Sequence, residues 1–285
     1  MVSAQKAQVR RPANVCPLRL NAHESAHPEA FAALSDAYGV SASMLVLLGH
    51  VDLAYLSMER AIGAADRSND PLRRAALSGW MSWLLLHQTG SADQAQRLAV
   101  DEADRVEPRQ VSKAKPEQIS VWGSLLVSGA VAAARDNQPD TADDMLSLAE
   151  AAATRLNAAN YQVRSDYETP FGLPQVIMQS VDVCVVTDRP ARALEEAKRM
   201  PPDAQLPLAA KARHLGDVAY AQTSLGRDRE ATDTLLTMRS NRQPDATHGN
   251  GFRLFPPVRA GAICDRLPPV AATGLHKGSI VRCLI

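Results

Sequence analysis

The chain has 285 residues, of which 46 % are hydrophobic but only 4 % aromatic, so apolar side chains suffice for a core. Its 31 Lys and Arg residues balance 31 Asp and Glu residues, and nothing in the overall charge indicates nucleic acid or an anionic membrane as a partner. Four scattered cysteines without a CxxC pair argue against a disulfide framework and favour a reducing compartment.

The first 27 residues show no sustained hydrophobic period, so we predict an irregular segment over 1–27. This segment lacks the apolar core of a signal peptide. No apolar run in the chain approaches the roughly 20 residues that span a bilayer. We therefore expect a cytoplasmic protein that makes no membrane contact.

From Pro28 onward the hydrophobic pattern is helical almost without interruption. Asp70 followed by Pro71 offers an N-cap and a proline at the first helical position. Ser91 and Asp188 are further cap candidates, each opening a second helix after a short turn.

No alternating stretch of convincing length indicates a strand. The nearest, "VDVCVV" at 181–186, lies inside a helical pattern that begins at Pro174. The predicted fold class is therefore all-α.

A short pattern recurs along this helical region. A Gly, Asn or Asp at a turn is followed five places later by an alanine at Gly49/Ala54, Gly90/Ala95, Asn137/Ala142, Asp188/Ala193 and Gly226/Ala231. These turn residues tolerate the left-handed backbone that ends a helix, and an alanine early in the next helix allows close approach. Further alanines recur seven residues before the turn (Ala42, Ala130, Ala219) and twelve after it (Ala61, Ala149). The pattern predicts a repeat of helical hairpins.

The repeat resembles the tetratricopeptide repeat, whose helix pairs carry small residues at these offsets from the turn. Spacings of 41, 47, 51 and 38 residues between turns exceed the usual period of about 34. We predict an α-solenoid of about five antiparallel helix pairs over 28–239, with irregular ends. The first helices of the pairs, which would line a concave groove, cover about 30–48, 72–88, 117–135, 174–187 and 206–225.

Two segments make the family resemblance more specific. They are "RHLGDVAYAQTSLGRDREATDTLL" at 213–236 and "SDYETPFGLPQV" at 165–176. The motifs are Arg213-His214-Leu215, Asp217-Val218-Ala219, Gly226-Arg227, Thr169, Phe171-Gly172 and Val176. Over roughly residues 28–239 the chain resembles the sensor region of actinobacterial helix-turn-helix transcriptional regulators of the Cro/CI type (the XRE family). No helix-turn-helix pattern precedes residue 28, so DNA binding would require a missing or separate domain.

The resemblance stops after Met238-Arg239. Residues 241–285 hold six basic and two acidic side chains, five of the 15 glycines and five of the 18 prolines. We interpret 240–285 as a frame-shifted or otherwise non-native end. The alternative is a genuine disordered basic tail.

The predicted groove supplies the candidate binding residues. They are Trp80, Trp122, Gln175, Gln179, Arg213 and Asp217, with Trp83 and His214 beside them. A tryptophan here is more often a packing residue than a ligand contact. Gln175 and Gln179 lie one helical turn apart, a spacing that could read a peptide backbone. Arg213 and Asp217 form an i,i+4 pair, for which we favour a local salt bridge.

The segment "HESAH" at 23–27 fits the HExxH signature of zinc proteases, but Pro28 moves His27 away from the helical geometry that metal binding requires. We expect no metal site there. Serine-hydrolase and phosphate-binding motifs are absent from the sequence, and Cys184 on an apolar helical face indicates a core residue. The sequence predicts no enzyme and no cofactor.

The expected function is therefore binding without catalysis. The resemblance implies a sensor that responds to a small molecule, a peptide or a protein partner, with a homodimer as one possible assembly. The alternative is a free-standing scaffold for protein–protein interaction.

Overall fold

The computed structural model describes residues 27–87, 90–156, 164–167, 169–204 and 206–240. The described residues form two compact units, which divide between Leu77 and Ser78 inside the third helix. Two predicted segments lie almost entirely outside the described residues. Of the predicted irregular segment 1–27 only residue 27 is described, and of the predicted tail 240–285 only residue 240 is described.

Ten α-helices account for nearly all the regular structure of the described residues. They are α1 (Pro28–Leu47), α2 (Val51–Arg67), α3 (Pro71–Leu85), α4 (Ala92–Val106), α5 (Pro116–Arg135), α6 (Pro139–Leu156), α7 (Leu173–Val186), α8 (Pro190–Lys198), α9 (Leu208–Ser224) and α10 (Asp228–Ser240). A 3-10 turn, Val111–Lys113, precedes α5. The predicted all-α fold is confirmed, and the solenoid stays a prediction.

All five predicted turns join two helices through a residue in the left-handed conformation. Their φ angles lie between 55° and 80° at Gly49, Gly90, Asn137, Asp188 and Gly226. In each turn the N–H of the alanine five places later donates to the carbonyl that follows the turn residue, at 2.9–3.1 Å. The same backbone geometry therefore recurs in every hairpin.

The alanines that the repeat pattern singled out are buried between helices. Those five places after the turn, Ala54, Ala95, Ala142, Ala193 and Ala231, are at most 4 % exposed. The alanines seven before the turn and twelve after it are buried to the same extent. Because the small side chain of alanine allows two helices to approach closely, the alanine pattern indicates where helices pack against each other.

The predicted caps have mixed outcomes. Asp70 is confirmed as a cap, since its Oδ1 accepts hydrogen bonds from the N–H groups of Leu72 and Arg73 at 3.1 and 3.2 Å. Ser91 stands at the N-cap position without a side-chain cap bond. The prediction for Asp188 was wrong, because the N-cap of α8 is Arg189 and Asp188 supplies the left-handed turn.

A short β-hairpin stands between α6 and α7, where no strand was predicted. Strands β1 (Arg164–Asp166) and β2 (Thr169–Phe171) pair antiparallel, with Asp166 opposite Thr169. Both strands pack on α5. Phe171 is fully buried there because α5 carries Gly123 at the point of contact.

In the first unit, α1 packs against α2 and buries Phe31, Leu34 and Tyr38. Contrary to the expectation from the sequence, α1 is long and apolar enough to cross a membrane by length and composition alone, and 33 % of its apolar window is buried. Five large apolar side chains of the α1–α2 hairpin are each 40–70 % exposed, and together we call them the apolar patch: Val40, Met44, Leu48, Leu53 and Leu56.

Candidate functional site

Five polar side chains lie on the first helices of three successive hairpins in the second unit, and four of them, all but Gln179, interact through ion pairs or through their charges. We call them the polar cluster: Arg135 on α5, Gln179 and Asp182 on α7, and Arg213 and Asp217 on α9. Helix α7 packs against both α5 and α9. The rest of α7 is strongly apolar, so its polar residues need partners from the neighbouring helices.

Asp182 is the centre of the polar cluster. The Nη1 and Nη2 groups of Arg135 donate to its Oδ2 and Oδ1 at 3.1 and 3.2 Å. The Nη2 group of Arg213 donates to Oδ1 at 2.9 Å. Asp182 itself is only 5 % exposed. One buried carboxylate therefore joins three helices.

The charge state of Asp182 follows from these contacts. Burial opposes ionisation, but the positive charges of Arg135 and Arg213 and their hydrogen bonds lower the pKa of Asp182 well below its usual range. Asp182 is accordingly an anion at neutral pH. The negative charge of Asp182 in turn raises the pKa of Arg213, against the smaller opposing effect of burial.

The local salt bridge favoured from the sequence, between Arg213 and Asp217, is wrong. Arg213 pairs with Asp182 instead. No hydrogen bond from the described residues reaches the buried Oδ2 of Asp217. Burial, and then the negative charge of Asp182, raise the pKa of Asp217 to about 8 against the opposing charges of Arg213 and Arg135.

Gln179 carries a second buried oxygen without a partner. Its Oε1 accepts no hydrogen bond from the described residues, although the side chain is only 8 % exposed. Gln179 and Asp217 each lie nine residues before the left-handed residue of their hairpin, Asp188 and Gly226. The two unsatisfied oxygens thus occupy the same position in neighbouring repeats.

Two further polar residues lie next to the polar cluster in sequence. Gln175, one turn before Gln179, is buried. His214 is also buried, its Nδ1 makes no hydrogen bond to the described residues, and burial lowers its pKa. His214 is therefore neutral at physiological pH.

The predicted tryptophans are not part of the polar cluster. Trp122 on α5 is buried, as a packing residue would be. Trp80 on α3 is half-buried and meets Trp83 edge to face, with ring centroids 5.9 Å apart. His87 continues this aromatic row, 4.4 Å from Trp83.

The candidate metal and thiol residues give no site within the described ranges. Only His27 of "HESAH" lies there, and its φ of −80° and ψ of 128° confirm the extended backbone expected before Pro28. The described residues hold no group of three His, Cys, Asp or Glu side chains that could bind a metal ion. Cys184 is buried, and burial raises the pKa of its thiol.

Sequence reasoning missed Asp182 and Arg135. Asp182 is the one charged residue in the apolar sequence of α7, "LPQVIMQSVDVCVV", and a lone carboxylate there signals a buried ion pair. Its arginines come from positions 47 and 31 residues away, so the partners could not be inferred from spacing.

The polar cluster offers hydrogen bonding and charge but no arranged nucleophile. It combines two guanidinium groups, one carboxylate, one carboxylic acid and one amide, with two oxygens unsatisfied. Buried polar groups without partners are costly in a folded protein.

No family model and no curated protein matches this chain. Among solved structures, it is similar to "Crystal structure of BtubC (BKLC) from P. vanneervenii", with a TM-score of 0.52 and 14 % sequence identity. The similarity covers 92 % of this chain and 94 % of that chain. At this identity the comparison bears on the fold alone, and it is consistent with an all-α architecture.

Proposed function

We propose that this chain is a non-enzymatic binding module of the sensor type, and that it binds its ligand at the polar cluster. The observation that supports the proposal is the pair of buried, unsatisfied oxygens on Gln179 and Asp217. Their position on the first helices of neighbouring hairpins is where repeat proteins of the predicted kind bind their ligands. As in the regulators that the sequence resembles, ligand binding would favour one arrangement of the hairpins.

The burial of Asp217 supports this role. An acid kept protonated by burial destabilises the fold at neutral pH, because the unfolded chain ionises it freely. Strongly perturbed ionisable groups of this kind concentrate at functional sites. Asp182 pairs with both arginines, whereas Asp217 makes no ion pair with either of them.

The test measures the melting temperature of the purified protein after addition of either the low-molecular-mass fraction or the protein fraction of a cell extract. We expect a rise in melting temperature that the Gln179→Met variant loses. Gln222→Met is the matched control, because the Oε1 of Gln222 is already satisfied by Thr234 at 2.9 Å. An equal shift in both variants would place binding elsewhere and reject the polar cluster.

A free-standing scaffold is the second candidate, and the apolar patch on α1 and α2 favours it. Exposed apolar residues grouped in this way are typical of protein contact surfaces. Leu48→Lys and Leu56→Lys should then abolish binding of a protein partner, whereas Leu236→Lys, also exposed, should not. Retention of that partner by both patch variants would reject the scaffold.

A further inference from the structure

The second half of α1 carries apolar side chains on opposite sides of the helix. Ala42 and Val46 are buried in the α1–α2 hairpin. Val40, Met44 and Leu48, in contrast, are 40–70 % exposed. They follow one another at intervals of four residues, which places them in one row along α1. Because a helix that is apolar all round is normally covered on every side, this exposed row indicates a contact surface.

The two serines in this part of α1 do not change its apolar character. The Oγ of Ser41 donates to the carbonyl of Ala37 at 2.7 Å, and the Oγ of Ser43 donates to the carbonyl of Gly39 at 3.2 Å. Both hydroxyl groups are therefore satisfied within the helix and require no polar partner.

The exposed apolar row continues across the turn into α2. Leu48 directly precedes the left-handed turn residue, and Leu53 and Leu56 lie one helical turn apart at the start of α2. The turn is tight, since the N–H of His50 donates to the carbonyl of Leu45 at 2.9 Å. The five side chains of the apolar patch are thus grouped toward the turn end of the hairpin.

The apolar patch lies in a stretch of sequence without charged side chains. No Asp, Glu, Lys or Arg occurs from Ala37 to Val51, which are 15 consecutive residues. The nearest charges along the chain are Asp36, which pairs with Arg73, and Asp52. Two copies of the apolar patch can therefore meet without bringing like charges together at the centre of the contact, where interfaces are poor in charge.

The area of the apolar patch agrees with what a dimer requires. From their exposed fractions, the five side chains offer roughly 400 Å² of apolar surface. A standard interface buries about 800 Å² on each partner, of which about 56–65 % is apolar. The half-buried Leu45, Leu47 and Val51, which alternate with the patch residues in sequence, supply part of the remainder. Contact between two patches therefore lies at the lower end of the range for a specific dimer.

The apolar patch itself is its best apolar complement in the described part of the chain. The exposed large apolar residues described in the second unit are spread over several helices and a turn: Leu148, Val186, Leu208, Leu225 and Leu236. A patch that met such a different surface on the next copy would leave its own surface free and generate open chains. A patch that meets itself closes as a two-fold dimer.

We propose that the apolar patch is covered by the apolar patch of a second copy of this chain, in an isologous contact with two-fold symmetry. The two α1–α2 hairpins pack against each other, and the exposed row on α1 becomes the centre of the interface. This inference does not rest on ligand binding at the polar cluster. It differs from the scaffold proposal in the occupant that it assigns to the apolar patch.

The test is sedimentation equilibrium of the full chain from about 1 to 100 µM. We expect the mass to rise from 30.7 kDa toward twice that value. Leu48→Lys and Leu56→Lys should each raise the dissociation constant at least about tenfold, because each dimer then buries two ammonium groups without partners. Leu236→Lys is the matched control at an exposed leucine outside the patch, and it should change the constant by less than about twofold. Unchanged circular dichroism verifies that each variant is folded.

A mixture of two charge variants tests whether patch meets patch. Leu48→Glu alone should be as monomeric as Leu48→Lys alone, because a symmetric contact brings like charges together. An equimolar mixture of the two should regain the dimer, since opposite charges then face each other across the contact.

A full chain that stays at 30.7 kDa over the whole concentration range overturns the inference, and so does a dimer that both lysine variants retain. A mixture that does not regain the dimer overturns the patch-to-patch contact. Monomeric protein that floats with phosphatidylcholine vesicles, when Leu48→Lys does not, assigns the patch to a lipid surface and also overturns the dimer. If the chain is monomeric but both patch variants lose a separate protein partner, the dimer fails and the scaffold stands.

Discussion

The ring of Phe171 occupies the space that a side chain at Gly123 would need. A Cβ at Gly123 would lie 2.0 Å from Cζ of Phe171. This contact fixes the β-hairpin to α5, and it depends on the absence of a single methyl group.

Gly123→Ala should therefore destabilise the protein by about 2–3 kcal/mol, because the buried ring has to move. Gly216→Ala on α9 is the matched control, since nothing lies within 4 Å of the added methyl group. The control should stabilise by about 0.5–1 kcal/mol through helix propensity. Urea denaturation measures both, and equal effects at the two glycines would contradict the assignment of the contact.

Mutations of Asp182 and Asp143 can be compared directly, because each aspartate accepts hydrogen bonds from two arginines. Asp182 is buried, whereas the side chain of Asp143 is 23 % exposed. Asp182→Asn should cost about 3–5 kcal/mol, since it leaves two partly buried guanidinium groups without a counter-charge. Asp143→Asn should cost about 1 kcal/mol or less. Comparable losses in chemical denaturation would show that burial does not set the strength of the Asp182 pair.

The pH dependence of stability reports on Asp217. Its pKa in the folded protein, about 8, lies above the ordinary value of 3.8. Between these values the unfolded chain has released the proton and the folded chain has not, so this group lowers stability as pH rises from about 4 to 8. Asp217→Asn should remove that loss and gain about 1–3 kcal/mol at pH 8. A gain that is the same at pH 5 and pH 8 would argue against a protonated Asp217.

In the left-handed turns, replacing a glycine and introducing one should change stability in opposite directions. Gly226 has φ 72°, so Gly226→Ala should cost about 1–2 kcal/mol. Asp188 has φ 55°, so Asp188→Gly should be neutral or stabilise by up to about 1 kcal/mol. Melting temperatures check the two signs, and a stabilising Gly226→Ala would contradict the left-handed turn.

The hairpins were predictable because their signals are local. Each turn needs a residue that tolerates positive φ, and each close helix contact needs an alanine a few positions away. The five pairs from Gly49/Ala54 to Gly226/Ala231 were therefore found from spacing alone. The β-hairpin was not found, because three-residue strands leave no period to detect.

The site was predictable only in part. Gln179, Arg213 and Asp217 were selected because they lie on the first helices of predicted hairpins. Their partners depend on which helix faces meet, and the sequence does not encode that at short range. A local i,i+4 pair was consequently favoured for Arg213, and its ion pair with Asp182, 31 residues away, was missed.

The recurrent turn has a consequence for how the chain folds. Each left-handed residue brings together two helices that are adjacent in sequence, so the loop to be closed is short and costs little entropy. A chain rich in such contacts has a low contact order, and chains of low contact order fold fast. Each hairpin can then form early as a local nucleus. Distant contacts such as that of Arg135 with Asp182 follow once neighbouring hairpins have met.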